Sequence, residues 1–154
     1  MKKIIIGCVL LLVSSFCFAE HLTLFGITFG TSKQDMKKFN IDKQVETPME
    51  KAFDAFTNDI EVEVTYDRND KLNRITISSG GKDAYLFEAY WVAYFLENLN
   101  CKRVDNIFYN DKLVAVIQDK YDADDGEFDG TYIYIGEMAD FKNIMDKCIK
   151  GNFN

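Results

Sequence analysis

Hydrophobic and polar residues alternate with a period of two over residues 60–66, which is typical of a strand with one buried face. The turn-forming residues 67–70 and a second apolar pattern over 72–78 complete a predicted antiparallel hairpin. By the same criteria, further strands are predicted over residues 22–29 (interrupted by Gly26), 102–109, 112–120 and 131–135. The pattern therefore favours antiparallel strand pairs.

Four segments have the start signals or the periodicity of helices. Ser32 precedes a short segment whose backbone N–H groups its hydroxyl can cap. Thr47 and Pro48 begin a second helix, because proline fits the first helical position. Residues 84–99 are apolar on nearly every side, which predicts a central helix covered on more than one side. Apolar residues three or four positions apart predict a last helix over residues 138–148.

The order of these elements predicts a single α+β domain, in which antiparallel hairpins pack with three to four helices. The sequence Asn-Asp-Lys-Leu occurs at residues 69–72 and again at 110–113, each time in a predicted hairpin turn. A duplicated helix–hairpin unit would explain this repeat. We favour the alternative that Asn, Asp and Lys simply suit a tight turn.

Residues 1–19 have the pattern of a secretory signal peptide. Two lysines precede an apolar run over residues 4–13, and the small residues Cys17 and Ala19 suit the last positions before a cleavage site. We therefore expect cleavage after Ala19. The mature chain, residues 20–154, would then lie in the bacterial periplasm or outside the cell, without a transmembrane anchor.

Two cysteines, Cys101 and Cys148, remain after this cleavage. Because exported compartments are oxidising, an even pair predicts a disulfide bond. Closing a loop of about 48 residues stabilises a fold by about 4 kcal/mol in the chain-entropy model. No Cys-x-x-Cys motif accompanies the pair, so thiol redox chemistry is disfavoured.

Charge and residue counts exclude several classes of function. The formal net charge is −7, and it becomes about −9 when the two leader lysines are removed, which argues against nucleic-acid binding. The single histidine, His21, lies beside the predicted new N-terminus. No nucleophile motif, phosphate-binding loop or dinucleotide fingerprint occurs. We expect no cofactor and no catalysis.

An acidic segment between the last two predicted strands is the main candidate site. Its carboxylates would attract a cationic protein, and its aromatic residues would anchor the contact. The candidate partner-binding residues are Tyr121, Asp122, Asp124, Asp125, Glu127, Phe128 and Asp129.

The same segment offers a weaker candidate for Ca²⁺. Asp125, Glu127 and Asp129 fall at positions 1, 3 and 5 of an EF-hand loop when Gly130 is placed at position 6. Position 12 is then Gly136, where the motif requires a glutamate. The match is partial, and a solvated acidic loop is the simpler interpretation.

The sequence thus predicts a small exported protein that binds another protein. An inhibitor or immunity protein against a basic secreted enzyme is its most specific version, and a Ca²⁺-stabilised envelope module is an alternative. Hydrolysis of a glycan by Glu61 and Glu63 ranks last, because two carboxylates at i and i+2 are ordinary on a solvent-facing strand. The aromatic residues of the central helix are expected to be core, although an uncovered flank would become an interface.

Overall fold

The computed structural model describes residues 21–41, 43–45, 60–80 and 84–140. The predicted signal peptide, the helix predicted to begin at Thr47 and most of the predicted last helix lie outside these residues. The described residues form an α+β fold with a six-stranded antiparallel sheet, a two-stranded sheet and one main helix of 15 residues. None of the helices in the described ranges is long and apolar enough to span a bilayer.

The main sheet has the strand order β3-β4-β8-β7-β6-β5, and β1 pairs with β2 separately. The strands are β1 (Thr23–Leu24), β2 (Ile27–Thr28), β3 (Ile60–Tyr66), β4 (Leu72–Ser79), β5 (Lys102–Val104), β6 (Ile107–Tyr109), β7 (Leu113–Tyr121) and β8 (Phe128–Glu137). The helices are α1 (Lys33–Met36) and α2 (Ala84–Ala93), which continues as a π-helical turn over Tyr94–Asn98. A 3₁₀ turn over Met138–Asp140 follows β8.

One face of the main sheet packs against α2 and the β1–β2 hairpin. The register places Val62, Ile77, Ile133 and Ile117 in one row across four strands, so the alternation in each strand gives a continuous apolar face. The centre of this core is aromatic. Its fully buried rings are Phe29, Phe87, Trp91, Phe95 and Phe108.

The opposite face, which we call the outer face, is more polar. One of its rows consists of Glu61, Ser78, Tyr132 and Gln118. A small apolar cluster around Val114 and Val116 lies at the other end of the same face, and both valines are buried. Successive residues of each strand therefore face two different environments, the apolar core and the more polar outer face.

Two of the predicted strands are wrong in the same way, because each is a tight hairpin. The pattern over residues 22–29 is broken by Phe25 and Gly26, both of which have positive φ angles (54° and 75°), as a type I′ turn requires. The segment 102–109 is divided at Asp105, where φ is 53°. The adjacent Asn106 donates its side-chain amide to the Ile117 carbonyl at 2.9 Å and holds this turn against β7.

Other predicted elements are confirmed. Ser32 caps α1, since its hydroxyl accepts a hydrogen bond from the Asp35 backbone N–H at 3.1 Å. Both Asn-Asp-Lys-Leu sequences lie in hairpin turns. In the first turn Asp67 Oδ1 accepts the backbone N–H groups, whereas in the second Asn110 Oδ1 does so. Asp67 lies two residues before its copy of the repeat, whereas Asn110 is the first residue of the other copy, and this difference favours the interpretation as turn chemistry.

Two elements contact the central helix within the described structure, namely the main sheet and Phe25 of the β1–β2 turn, which meets Trp91 and Tyr94. That the helix is covered on more than one side otherwise stays a prediction. Phe87 and Trp91 face the sheet and are fully buried, whereas Tyr85 is 66% exposed and Leu96 is 38% exposed. Tyr90 and Tyr94 are half-buried at the boundary. The sheet therefore occupies one side of α2 only.

Candidate functional site

The acidic segment forms the end of the longest hairpin in the sheet. Strands β7 and β8 pair along their length to Tyr121 and Phe128, with a bulge between Lys120 and Tyr121. The predicted loop is consequently shorter than expected, because Phe128, Asp129 and Gly130 belong to β8. We use the term acidic hairpin for residues 121–129.

The tip of the acidic hairpin is organised by its own carboxylates. Asp122 Oδ1 accepts the Asp124 backbone N–H at 2.7 Å, and Asp125 Oδ1 accepts the Glu127 backbone N–H at 2.8 Å. The Asp122 backbone N–H donates to the Glu127 carbonyl at 2.7 Å and closes the loop. Gly126 takes a left-handed conformation, with φ of 74°, which other residues rarely adopt. The tip is therefore a defined turn.

Two aromatic rings lie at the base of this tip. Tyr121 and Phe128 pair across the strands, with ring centroids 5.7 Å apart and planes at 73°. Tyr121 is 63% exposed and Phe128 is 39% exposed. The carboxylates around them, all on exposed residues, belong to Asp122, Asp124, Asp125, Glu127 and Asp129. All seven sequence-predicted binding residues therefore lie on one solvent-facing hairpin end.

A tyrosine on the outer face connects the acidic hairpin to the sheet. The Tyr132 hydroxyl donates a hydrogen bond to Asp129 Oδ2 at 3.0 Å, and Lys120 Nζ lies 4.0 Å from the centroid of the Tyr132 ring. The Tyr134 ring stacks beside it. Burial, followed by the hydrogen bond and charge of Asp129, raises the pKa of Tyr132 to about 12. The alternation along β8 predicts that Tyr132 and Tyr134 share a face. Their contact with Lys120 could not be predicted from the sequence, because it depends on the register between β7 and β8.

Two of the three candidate Ca²⁺ ligands accept hydrogen bonds from the protein itself. Asp125 accepts a backbone N–H, and Asp129 accepts the Tyr132 hydroxyl. Among the described residues, no group of three or more His, Cys, Asp or Glu side chains is arranged to hold a metal ion. Ca²⁺ binding by Asp125, Glu127 and Asp129 stays a prediction.

The structure also places the residues of the weaker catalytic hypotheses. Glu61 and Glu63 are exposed on the edge strand β3 and line a shallow groove of about 520 Å³ whose floor includes Tyr132. His21, which the sequence placed at a fraying end, is held at the sheet, with its Nδ1 3.0 Å from Glu137 Oε1. The Leu22 backbone N–H donates to the same oxygen at 3.0 Å. No local sequence signal pairs His21 with Glu137, because 116 positions separate them.

Cys101 is buried just beyond the end of the central helix, and it shows no disulfide bond within the described residues. Its Sγ lies 3.8 Å from the Asn110 side-chain amide nitrogen, and burial raises the pKa of the thiol. Cys148 lies outside the described residues. The Cys101–Cys148 disulfide therefore stays a prediction.

Comparison with protein-family models, with curated proteins and with solved structures found no match for this chain.

Proposed function

We propose that this protein is exported, and that its acidic hairpin binds a cationic protein partner without catalysing a reaction. The observation that supports this most strongly is the solvent-exposed Tyr121–Phe128 ring pair beside five exposed acidic residues. Exposed aromatic rings provide contact area at a binding surface, and a field of one sign speeds the encounter with an oppositely charged partner. Inhibition of, or immunity to, a basic secreted enzyme is the specific form of this proposal.

The fold of the tip supports a binding role. The hydrogen bonds of Asp122 and Asp125 hold the turn in one conformation before any partner arrives. A surface that is already ordered loses less conformational entropy on association than a flexible loop does. Rigid presentation therefore leaves more of the contact energy for binding.

A capture experiment tests the role of the aromatic pair. Purified protein is immobilised and exposed to bacterial envelope extract at low salt, and the bound proteins are identified by mass spectrometry. We expect one dominant cationic partner, with about tenfold weaker binding by the Tyr121→Ala variant. Tyr85→Ala is the matched control, because Tyr85 has a similar exposure on the central helix (66% against 63%). Equal binding by Tyr121→Ala and the unmodified protein would contradict the proposal.

A second arm tests the charges without disturbing the turn. In Asp122→Asn and Asp125→Asn the amide oxygen still accepts the backbone N–H, but the negative charge is removed. We expect both variants to weaken capture and to reduce its salt dependence, and about 1 M salt to release the partner. Asp111→Asn, which removes an exposed charge from the β6–β7 turn, should leave capture unchanged. Capture that is unchanged by salt and by these substitutions would exclude the electrostatic part of the proposal.

The Ca²⁺-stabilised module is the second candidate, and a melting experiment separates it from the first. A cation that binds only the folded state must raise the melting temperature. Because the carboxylates of Asp122, Asp125 and Asp129 already accept protein hydrogen bonds, we expect no change in melting temperature on addition of millimolar Ca²⁺. A clear rise would favour the Ca²⁺ module instead. Glycan hydrolysis by Glu61 and Glu63 ranks third, and retained turnover in the Glu61→Gln, Glu63→Gln double variant would exclude it.

We also propose the finer architecture that the sequence predicts, with three to four helices in all and a disulfide between Cys101 and Cys148. The helices α1 and α2 support the first part. The duplicated helix–hairpin unit remains a less favoured hypothesis, since the two hairpin turns use acceptors at different positions.

A further inference from the structure

The shallow groove on the outer face lies along the edge strand β3 and is lined by residues of three adjacent strands. Its polar residues are Glu61, Glu63, Thr76, Ser78 and Tyr132. The register brings them together, because Glu61, Ser78 and Tyr132 occupy one row across β3, β4 and β8. Glu63 and Thr76 are partners in the next row of the same face. We call this the β3 groove.

The two carboxylates of the β3 groove have no cationic partner among the described residues. Glu61 and Glu63 are both exposed, and neither of them forms an ion pair within that part of the chain. Two basic residues of the outer face are engaged elsewhere. Lys120 lies over the Tyr132 ring, and Arg74 donates to a threonine hydroxyl at 2.9 Å. The groove therefore presents negative charge that is available to a ligand.

Thr76 adds a buried polar side chain to this groove. The register directs it to the outer face, where it lines the groove and is only 6% exposed. Its hydroxyl forms no hydrogen bond within the described ranges. Because a polar group buried to this extent ordinarily has a hydrogen-bond partner, a ligand with an N–H donor would supply the one that is missing.

Tyr132 provides an aromatic surface and links the groove to the acidic hairpin. Lys120 lies over the Tyr132 ring but does not line the groove, so the groove reaches a side of the ring that Lys120 leaves open. The hydroxyl of the same ring donates to Asp129 at 3.0 Å. Burial is the largest cause of the raised pKa of Tyr132, and the charge of Glu61 is a smaller one, which places Glu61 near this ring. The groove and the acidic hairpin are therefore parts of one negative surface.

We propose that the β3 groove binds the guanidinium group of an arginine side chain from the cationic partner, an inference that rests on the proposed function. A guanidinium is planar, stacks on aromatic rings and donates hydrogen bonds in a rigid fork, whereas an ammonium is a compact point charge. Residues two positions apart on a strand are separated by about 6.5 Å, so an arginine between Glu61 and Glu63 has a carboxylate on either side. The hydroxyls of Thr76 and Ser78 accept its remaining N–H donors. Tyr132 provides the ring.

Titration with a small arginine peptide tests the groove without the partner. A blocked Gly-Arg-Gly peptide is added to the isotope-labelled full mature chain and followed by NMR. The control ligand carries citrulline, which keeps the shape of arginine but has no charge. We expect saturable amide shifts confined to β3, β4 and β8 around the groove, in the millimolar range, and about tenfold weaker binding of the citrulline peptide. No saturable shift, or equal binding of the two peptides, would overturn the proposal.

Two double variants of equal net charge test the carboxylates. Glu61→Gln with Glu63→Gln should weaken binding of the arginine peptide at least about tenfold. Glu88→Gln with Glu97→Gln, which removes two carboxylates from the central helix instead, should leave it unchanged. Thr76→Val keeps the branched shape but removes the hydroxyl, and it should weaken binding about threefold. Unchanged binding by the first double variant would overturn the proposal.

Partner capture separates this inference from the proposed function. We expect Tyr121→Ala and the Glu61→Gln, Glu63→Gln double variant each to weaken capture of the partner. Weaker capture by Tyr121→Ala alone would support the acidic hairpin and overturn the arginine contact in the β3 groove. Weaker capture by the groove variant alone would support the arginine contact and contradict the role of Tyr121. An arginine peptide that binds the groove when no partner is captured would refute the proposed function and keep the guanidinium site.

Discussion

Two aromatic contacts in this protein have nearly the same geometry and opposite surroundings. Phe25 and Trp91 meet edge to face in the core, with centroids 5.6 Å apart and planes at 86°. Tyr121 and Phe128 meet at 5.7 Å and 73° on the acidic hairpin. Trp91 is fully buried, whereas Tyr121 is 63% exposed. Most of the stabilisation by an aromatic side chain comes from the area removed from water. The first contact therefore stabilises the fold, whereas the second contributes little to stability and is the one that we propose for partner binding.

The largest effect is expected from removal of the buried ring. Trp91→Ala should lower the free energy of unfolding by about 3–5 kcal/mol, because it deletes the indole and leaves a cavity under α2. Trp91→Phe should have a smaller effect, since the indole Nε1 makes no hydrogen bond within the described residues. Denaturant unfolding followed by circular dichroism measures both. A loss below about 1 kcal/mol for Trp91→Ala would contradict the assignment of this ring to the core.

An intermediate effect is expected for Tyr132, which is half-buried on the outer face. The folded protein raises the pKa of Tyr132 from 10.0 to about 12, so it holds the phenol proton more tightly than the unfolded chain does. The contribution of Tyr132 to stability is therefore complete below about pH 10 and is lost as the pH rises towards about 12.

The Tyr132→Phe variant isolates this contribution. It removes the titrating hydroxyl and its hydrogen bond to Asp129, so the fall in unfolding free energy across that interval should be shallower than in the unmodified protein. Other tyrosines, such as Tyr94, titrate in both proteins and cancel in the comparison. Equal slopes in the two proteins would show that Tyr132 is not perturbed by its surroundings.

The smallest effect on stability is expected from the exposed ring. Tyr121→Ala should change the free energy of unfolding by no more than about 0.5 kcal/mol, because the ring is mostly in water in the folded state. The same variant is expected to bind the partner about tenfold more weakly. A destabilisation above about 2 kcal/mol would show that Tyr121 stabilises the fold, and it would contradict the contrast between the exposed Tyr121–Phe128 contact and the buried Phe25–Trp91 contact.

Local patterns predicted part of this architecture correctly. The period-two alternation of β3, the turn at Asp67 and the cap at Ser32 depend on neighbours within a few positions, so the sequence displays them. The two hairpins at Phe25 and Asp105 were missed because each has a positive φ at a residue other than glycine. The seven candidate binding residues of the acidic hairpin were identified from composition alone, but the pairing of Tyr121 with Phe128 depends on the strand register.

The amino-acid sequence by itself determined that hairpins with one apolar face pack with a strongly apolar helix, and that one loop concentrates negative charge. Only the tertiary structure decided the strand order and the side of α2 that stays in water. The reason is that a strand with alternating polarity specifies its own buried face, whereas a helix that is apolar all round does not. The position of the sheet selects Trp91 for the core and leaves Tyr85 outside.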